Sequence, residues 1–83
     1  MALIIRVLLF GPVAMATGTD SIAVTLAASP NCADLLRAMG EQWPGLRRFA
    51  EFARVAVNHR YADASELIAP DDEVALICMV SGG

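Results

Sequence analysis

The sequence predicts an α+β domain in which one main helix packs on one face of a mixed sheet of four to five strands. The apolar segments follow the order strand, strand, helix, strand, strand, and the first and last strands are the most apolar. At 83 residues the chain is one domain with a single modest core. The two most apolar strands should lie side by side at the sheet centre. If they run parallel, the helix supplies the right-handed crossover between them.

The first strand is predicted over residues 3–10, which are apolar apart from Arg6 and are closed by Gly11 and Pro12. Alternation separates its side chains into two faces. Leu3, Ile5, Val7 and Leu9 share one face, and Ile4, Arg6, Leu8 and Phe10 share the other.

The second strand is predicted over residues 21–26, after a turn at residues 18–20. Ile22, Val24 and Leu26 alternate there with small or polar side chains. This pattern is typical of a strand that is covered on one side only.

The main helix should begin after Asn31, with Asp34 at the third helical position to complete a capping box, and should end at Pro44 and Gly45. Apolar side chains recur at helical spacing, and we expect Met39 and Trp43 among them to face the core. The apolar set is Cys32, Leu35, Leu36, Met39 and Trp43.

The second half of the chain predicts a short helical turn over residues 46–53 and a strand over residues 54–58. A turn at residues 58–61 leaves His59 exposed. The unbroken apolar run at residues 74–80 follows a turn at residues 70–72, and it predicts a central strand covered on both sides.

One helix can cover only one face of such a sheet. The other face, with Ile4, Leu8, Phe10 and one side of residues 74–80, should therefore be an apolar patch exposed to solvent. Such a patch on a small domain indicates a partner.

Composition excludes several function classes. The net charge of −3, with Arg47 and Arg48 as the only adjacent basic pair, argues against nucleic acid. Cys32 and Cys78 fit no metal-ligand spacing. The apolar start resembles a signal peptide, but Arg6 interrupts it, so we expect a cytoplasmic protein without a membrane span.

The sequence finishes on Val80, Ser81, Gly82 and Gly83. Residues without side chains can pass through a narrow cleft, and a terminal carboxylate can react once ATP has activated it. A frayed end is the alternative interpretation.

Motifs along nearly the whole chain resemble the β-grasp (ubiquitin-like) sulfur carriers, most closely the small subunits of molybdopterin synthase. They are residues 5–11, Gly18, residues 55–58, Tyr61, Leu67, residues 72–74 and the tail 80–83. The chain departs from that family at Ala14-Met15, where Arg-Glu is usual, at Asp71, where Gly is usual, and at Cys78-Met79, where prolines are common. These departures bear on the partner more than on the fold.

The resemblance implies a β-grasp domain over residues 1–80 and a flexible tail over residues 81–83. A ubiquitin-activating-like adenylyltransferase would use ATP to adenylate Gly83, with Gly82 as a spacer, and sulfur transfer would then give a thiocarboxylate. The chain would bind no cofactor itself and would act as the non-catalytic small subunit and sulfur donor. The large synthase subunit would receive the tail, with Leu8, Phe10, Val80 and Ser81 in the docking surface.

Three alternatives share much of this pattern. They are a sulfur carrier for thiamine or cysteine synthesis, a ubiquitin-like modifier of protein lysines, and an interaction module whose Gly-Gly ending is incidental.

Overall fold

In residues 2–49 and 52–78, which the computed structural model describes, five strands form one mixed sheet and three helical segments connect them. The elements are β1 (Ala2–Leu9), α1 (Gly11–Thr17), β2 (Ser21–Ala27), α2 (Cys32–Gln42), a 3₁₀ helix (Pro44–Phe49), β3 (Ala53–Val57), β4 (Arg60–Tyr61) and β5 (Val74–Cys78).

The strands lie in the order β2-β1-β5-β3-β4. β1 and β5 run parallel at the centre, with Val7 opposite Val74 and Leu9 opposite Leu76, and the other neighbours are antiparallel. The predicted fold class and the central position of the first and last strands are confirmed, and the parallel pairing, which the sequence left open, is observed. Because a parallel pair needs a crossover, α2 lies between them in the chain and packs on one face of the sheet.

The core lies between α2 and the sheet face that we call the inner face. Its central side chains come from alternate positions of the strands and from one stripe of α2, as the two periodicities require. Those less than 2% exposed include Ile5, Val7, Leu9, Val24, Val74, Cys32 and Leu35.

The predicted capping box fixes the start of α2. Asn31 Oδ1 accepts a hydrogen bond from the backbone N–H of Asp34 at 2.8 Å, and Asp34 Oδ2 accepts one from the N–H of Asn31 at 3.0 Å. Two otherwise unpaired N–H groups at the helix start are thereby satisfied.

The end of α2 contradicts one prediction. Trp43 is not a core residue: the helix ends at Gln42, so Trp43 leaves the buried stripe, is 37% exposed, and donates from Nε1 to the carbonyl of Ala23 at 3.3 Å. Gln42 lies beside it and pairs with Thr25, since Oε1 accepts from the Thr25 N–H at 2.9 Å and Nε2 donates to the Thr25 carbonyl at 2.7 Å. We call these contacts of Gln42 and Trp43 with β2 the edge latch.

Helix α1 was not predicted, and the first strand is correspondingly shorter than expected. β1 ends at Leu9, and Phe10 is the N-cap of α1. Gly11 and Pro12 indicate the end of a strand in the sequence, but they also start a helix here, because proline is well tolerated in a first helical turn. Val13 is fully buried, and Gly18 ends the helix with φ +73°, a conformation that favours glycine.

The second half differs in detail from the prediction. The predicted helical turn is a 3₁₀ helix that ends at Phe49, while Ala53 already belongs to β3 and Ala50 lies outside the described residues. Residues 60–61 are not part of a turn but form β4, which pairs with residues 56–57.

Candidate functional site

Strand β5 leads toward the glycine tail at one end of the sheet. Cys78, its last residue, pairs with Ala53 of β3, and Leu76 pairs with Leu9 of β1. Because β1 and β5 run parallel, both strands end at the same end of the sheet, where Phe10 follows Leu9. The tail residues Val80, Ser81, Gly82 and Gly83 lie outside the described residues, so their predicted roles stay predictions.

The sheet face opposite α2, which we call the outer face, carries the predicted apolar patch. Ile4 is 71% exposed, Phe10 is 53% exposed, and Leu8 is half-buried. Phe10 has an extended backbone, φ −135° and ψ 154°, so it continues the alternation of β1 onto this face. The assignment of Ile4, Leu8 and Phe10 to an exposed face is confirmed.

The structure shows which side of residues 74–78 belongs to this face and adds Ala56 and Tyr61 to it. Ladder register places Leu8 opposite Ala75, Ala75 opposite Ala56, and Ala56 opposite Tyr61, in one row across four strands. Ile77 and Ala75 of β5 are half-buried, so the prediction that this strand is covered on both sides is wrong. Small alanines at the centre of the row leave a shallow apolar surface.

One cation lies on the outer face close to the end of β5. Arg54 pairs with Ile77 in the ladder, and its guanidinium carbon lies 5.4 Å from the centre of the Tyr61 ring, within cation–π range. Arg54 and Ile77 were not predicted site residues, and Tyr61 was identified only as a motif residue. The alternation of β3 could have placed Arg54 on the outer face. Only the pairing register of the strands shows that it lies beside Ile77 and Tyr61.

A second group of motif residues serves the fold instead of the site. Asn58, with φ +52°, donates from Nδ2 to Asp72 Oδ1 at 3.0 Å and accepts at Oδ1 from the N–H of Glu73 at 2.9 Å. Asp72 Oδ2 accepts from the N–H of Ala69 at 2.8 Å. The Ala69 N–H, the Asn58 amide and then the charge of Arg60 lower the pKa of Asp72. This network ties the β3–β4 turn to the start of β5.

One ion pair and one histidine–carboxylate contact lie at the same end of the sheet, where β5 begins. Arg60 donates to both carboxylate oxygens of Glu66, at 3.2 and 2.9 Å. His59 Nε2 lies 3.3 Å from Glu73 Oε2, and its side chain is 80% exposed, as predicted. Arg60 belongs to β4, His59 to the turn before it, and Glu73 immediately precedes β5, so these contacts stabilise the fold at the end where β5 begins.

Cys32 is a buried free thiol in the first turn of α2, in agreement with its predicted packing role. Burial, followed by the charges of Glu66 and Asp63, raises the pKa of this thiol. A thiol held protonated is a poor nucleophile and a poor metal ligand. In residues 2–49 and 52–78, no cluster of His, Cys, Asp and Glu side chains is arranged to bind a metal ion.

No helix in the described part of the chain combines the length and apolar character that crossing a membrane requires.

The fold described above is that of a ubiquitin-like β-grasp protein. Three solved structures share it, and the first is SAMP1 from Haloferax volcanii, with a TM-score of 0.79 and 26% identity over 100% of both chains. A putative molybdopterin converting factor subunit 1 from Pyrococcus furiosus has a TM-score of 0.79 and 20% identity, covering 94% of this chain and 99% of that one.

The third structure is a protein–protein complex of subunits 1 and 2 of the molybdopterin-converting factor from Helicobacter pylori. It matches with a TM-score of 0.66 and 21% identity, covering 98% of this chain and 100% of that one. Sequence comparison with curated proteins gave no match.

The sequence model of the ThiS family matches residues 7–83, which is nearly the whole chain. The chain therefore belongs to the ThiS family of ubiquitin-like sulfur carriers, and the predicted resemblance is confirmed at this level.

Proposed function

We propose that the chain carries sulfur as a thiocarboxylate on Gly83 and donates it to build the dithiolene of molybdopterin. The supporting observation is that the family match continues through Gly83, while β5 leads toward the tail at the edge where Phe10 and the outer face lie. A folded body that supplies docking surface and a thin end that supplies the reacting group are the two parts a carrier needs.

The chemistry begins at a carboxylate, which is a poor electrophile. A Gly83 carboxylate oxygen attacks the α-phosphorus of ATP on an adenylyltransferase and displaces pyrophosphate, which gives an acyl-adenylate. A sulfide-level sulfur nucleophile then attacks the acyl carbon, and AMP leaves with the carboxylate oxygen bonded to its phosphorus, so that one sulfur replaces one oxygen on the carbon. Gly82 and Gly83 present that carbon without side-chain obstruction, because glycine has no Cβ.

The choice of molybdopterin rests on motif order and on the two converting-factor structures with this fold. In the Helicobacter pylori structure, subunit 1 is in complex with subunit 2. By analogy, the large synthase subunit would receive the tail of this chain, with Leu8 and Phe10 in the contact. A cytoplasmic location stays a prediction.

A second candidate function is protein modification. SAMP1, with 26% identity over the full chain, belongs to the structures described as small archaeal modifier proteins. The activation step would be the same, but a lysine amine would replace sulfur as the attacking group. Carriers for thiamine or cysteine synthesis differ only in the final acceptor.

The experiment is mass spectrometry of the chain after incubation with the adenylyltransferase of its own organism, ATP and a sulfur source. We expect the mass of one oxygen-to-sulfur exchange on the C-terminal peptide. Deleting Gly83 or appending one alanine should abolish it and leave thermal stability unchanged.

Three outcomes would contradict this proposal. Sulfur on Cys32 or Cys78 would indicate persulfide chemistry, an unchanged mass would favour an interaction module, and Gly83 joined to a lysine would favour the modifier. Transfer of the sulfur to a pterin acceptor in the presence of the large subunit distinguishes the pathways.

A further inference from the structure

Arg54 is exposed on the outer face of the sheet. Its guanidinium stacks over Tyr61, which is 51% exposed, and it lies beside Ile77 in the β3–β5 ladder. The next ladder pair is Ala53 with Cys78, the last described residue before the tail. Arg54 therefore places a positive charge at the end of the sheet where β5 leads into the tail.

The carboxylates of residues 2–49 and 52–78 leave the charge of Arg54 uncompensated. Of those in residues 2–49 and 52–78, none lies within ion-pair distance of Arg54, whereas Arg37 and Arg60 pair with Asp34 and Glu66. Residues 71–73 carry three consecutive carboxylates, but they precede β5 at its opposite end.

The neighbourhood of Arg54 has the composition of a binding surface. Half-exposed Phe10 and Tyr61 and the arginine beside them are of residue types enriched in protein interfaces, and half-buried Leu8 and Ile77 add apolar area. A stacked guanidinium has lost part of its rotamer freedom before binding, and its planar fork matches a carboxylate with two hydrogen bonds.

From this placement we infer that Arg54 is a specificity residue that receives an Asp or Glu side chain of the adenylyltransferase, set within an apolar surface that covers Leu8 and Phe10. The inference rests on the proposed function and adds the chemistry of the partner surface. The −3 charge of the whole chain would by itself favour a basic partner, so a carboxylate opposite Arg54 is a local and distinctive requirement.

The test is a binding titration of the full chain against the adenylyltransferase without nucleotide, by calorimetry at low and high salt. Arg54→Gln should weaken binding about 10- to 100-fold, since a hydrogen-bonded charge pair is lost. Arg54→Lys should recover only part of the affinity, because an ammonium cannot make the paired contact.

Arg48→Gln is the matched control, because Arg48 also lies over an aromatic ring, 4.9 Å from the centre of Phe49, but on the 3₁₀ helix that packs against α2. Its affinity should stay within about twofold of wild type. Circular dichroism should show both variants folded, since both arginines are exposed. A charge-reversed enzyme, with the responsible carboxylate changed to arginine, should restore binding to Arg54→Glu.

Four results would overturn the inference. The first is wild-type affinity in Arg54→Gln, and the second is an equal loss of affinity in Arg48→Gln. The third is a loss of affinity that appears only when ATP is present, which would indicate that Arg54 contacts the nucleotide phosphates. The fourth is that no charge-reversed enzyme restores binding to Arg54→Glu. If the wild-type chain neither binds nor is adenylated, the proposed function fails together with this inference. If it is adenylated normally and Arg54→Gln is unaffected, only this inference fails.

Discussion

Replacing Phe10 by aspartate separates the docking role of the outer face from its role in folding. Phe10 is 53% exposed, so about half of the roughly 1.5–3 kcal/mol gained by burying such a side chain is in play, which is about 1 kcal/mol. Phe10 is also the N-cap of α1 and makes no side-chain cap hydrogen bond.

Aspartate is among the favoured N-cap residues and should contribute about 0.5–2 kcal/mol of stability at this position. Gain and loss therefore nearly cancel. The free energy of unfolding should stay within about 1 kcal/mol of wild type, which for a domain of this size is a melting shift smaller than about 4–8 °C.

Binding should respond differently. Loss of an aromatic anchor costs about 2 kcal/mol or more in interface centres, which is roughly a 30-fold weaker Kd for the adenylyltransferase. Placing a carboxylate against an apolar partner surface adds to this loss.

The assays are urea unfolding and calorimetric binding, with two control variants. Phe10→Asn also caps the helix but carries no charge, so it isolates the aromatic contribution. Leu9→Asp, at a position only 1% exposed, should unfold the chain. If Phe10→Asp unfolds in the same way, or binds as tightly as wild type, the assignment of the outer face as the docking surface is wrong.

Three further predictions concern the parts of the chain away from the docking surface. Asn58→Ala should lower the free energy of unfolding by about 2–4 kcal/mol, because two hydrogen bonds are lost and alanine is strained in the left-handed backbone conformation of this position. Asn58→Gly should recover about 1 kcal/mol of this. Equal unfolding midpoints of the two variants would refute the contribution of backbone strain. Because the pKa of Asp72 is lowered in the fold, its contribution is present above its ordinary pKa and is lost as pH falls through the lowered one. Asn58→Ala should show a smaller acid-dependent loss in a pH series of unfolding curves. The pKa of the buried Cys32 thiol is raised, so this thiol should resist alkylation by iodoacetamide at neutral pH until the chain unfolds. For the same reason, the free energy of unfolding should fall as the pH rises above the ordinary thiol pKa. Rapid alkylation of Cys32 in the native chain, located by peptide mass spectrometry, would contradict its burial.

Elements with a strong local signal could be predicted from the sequence. The capping box of Asn31 and Asp34, the one-sided alternation of β2 and the two most apolar strands specified the α+β class and the sheet centre. The exposed face followed from counting helices, because one helix cannot cover both sides.

Features that depend on distant partners could not be predicted. Helix α1 carries one buried anchor, Val13, and packs against β5 and the 3₁₀ helix, which are distant in the chain. Trp43 repeats the helical spacing, yet the helix ends before it. Arg54 and Tyr61 meet only through the pairing of β3 with β4, a strand of two residues that leaves almost no pattern.

The edge latch restricts how other chains can approach this carrier. An uncovered outer strand offers its backbone to any extended segment, whatever its side chains, and such pairing is promiscuous. The Gln42 amide occupies both backbone groups of Thr25, and the Trp43 indole occupies the carbonyl of Ala23. The proposed function has the tail visit one protein for activation and another for delivery, and occupied backbone groups on β2 keep either partner from retaining the body by adding a strand there. Where these groups of β2 are occupied, discrimination between partners is left to side chains, which can change by single substitutions while the sheet stays the same.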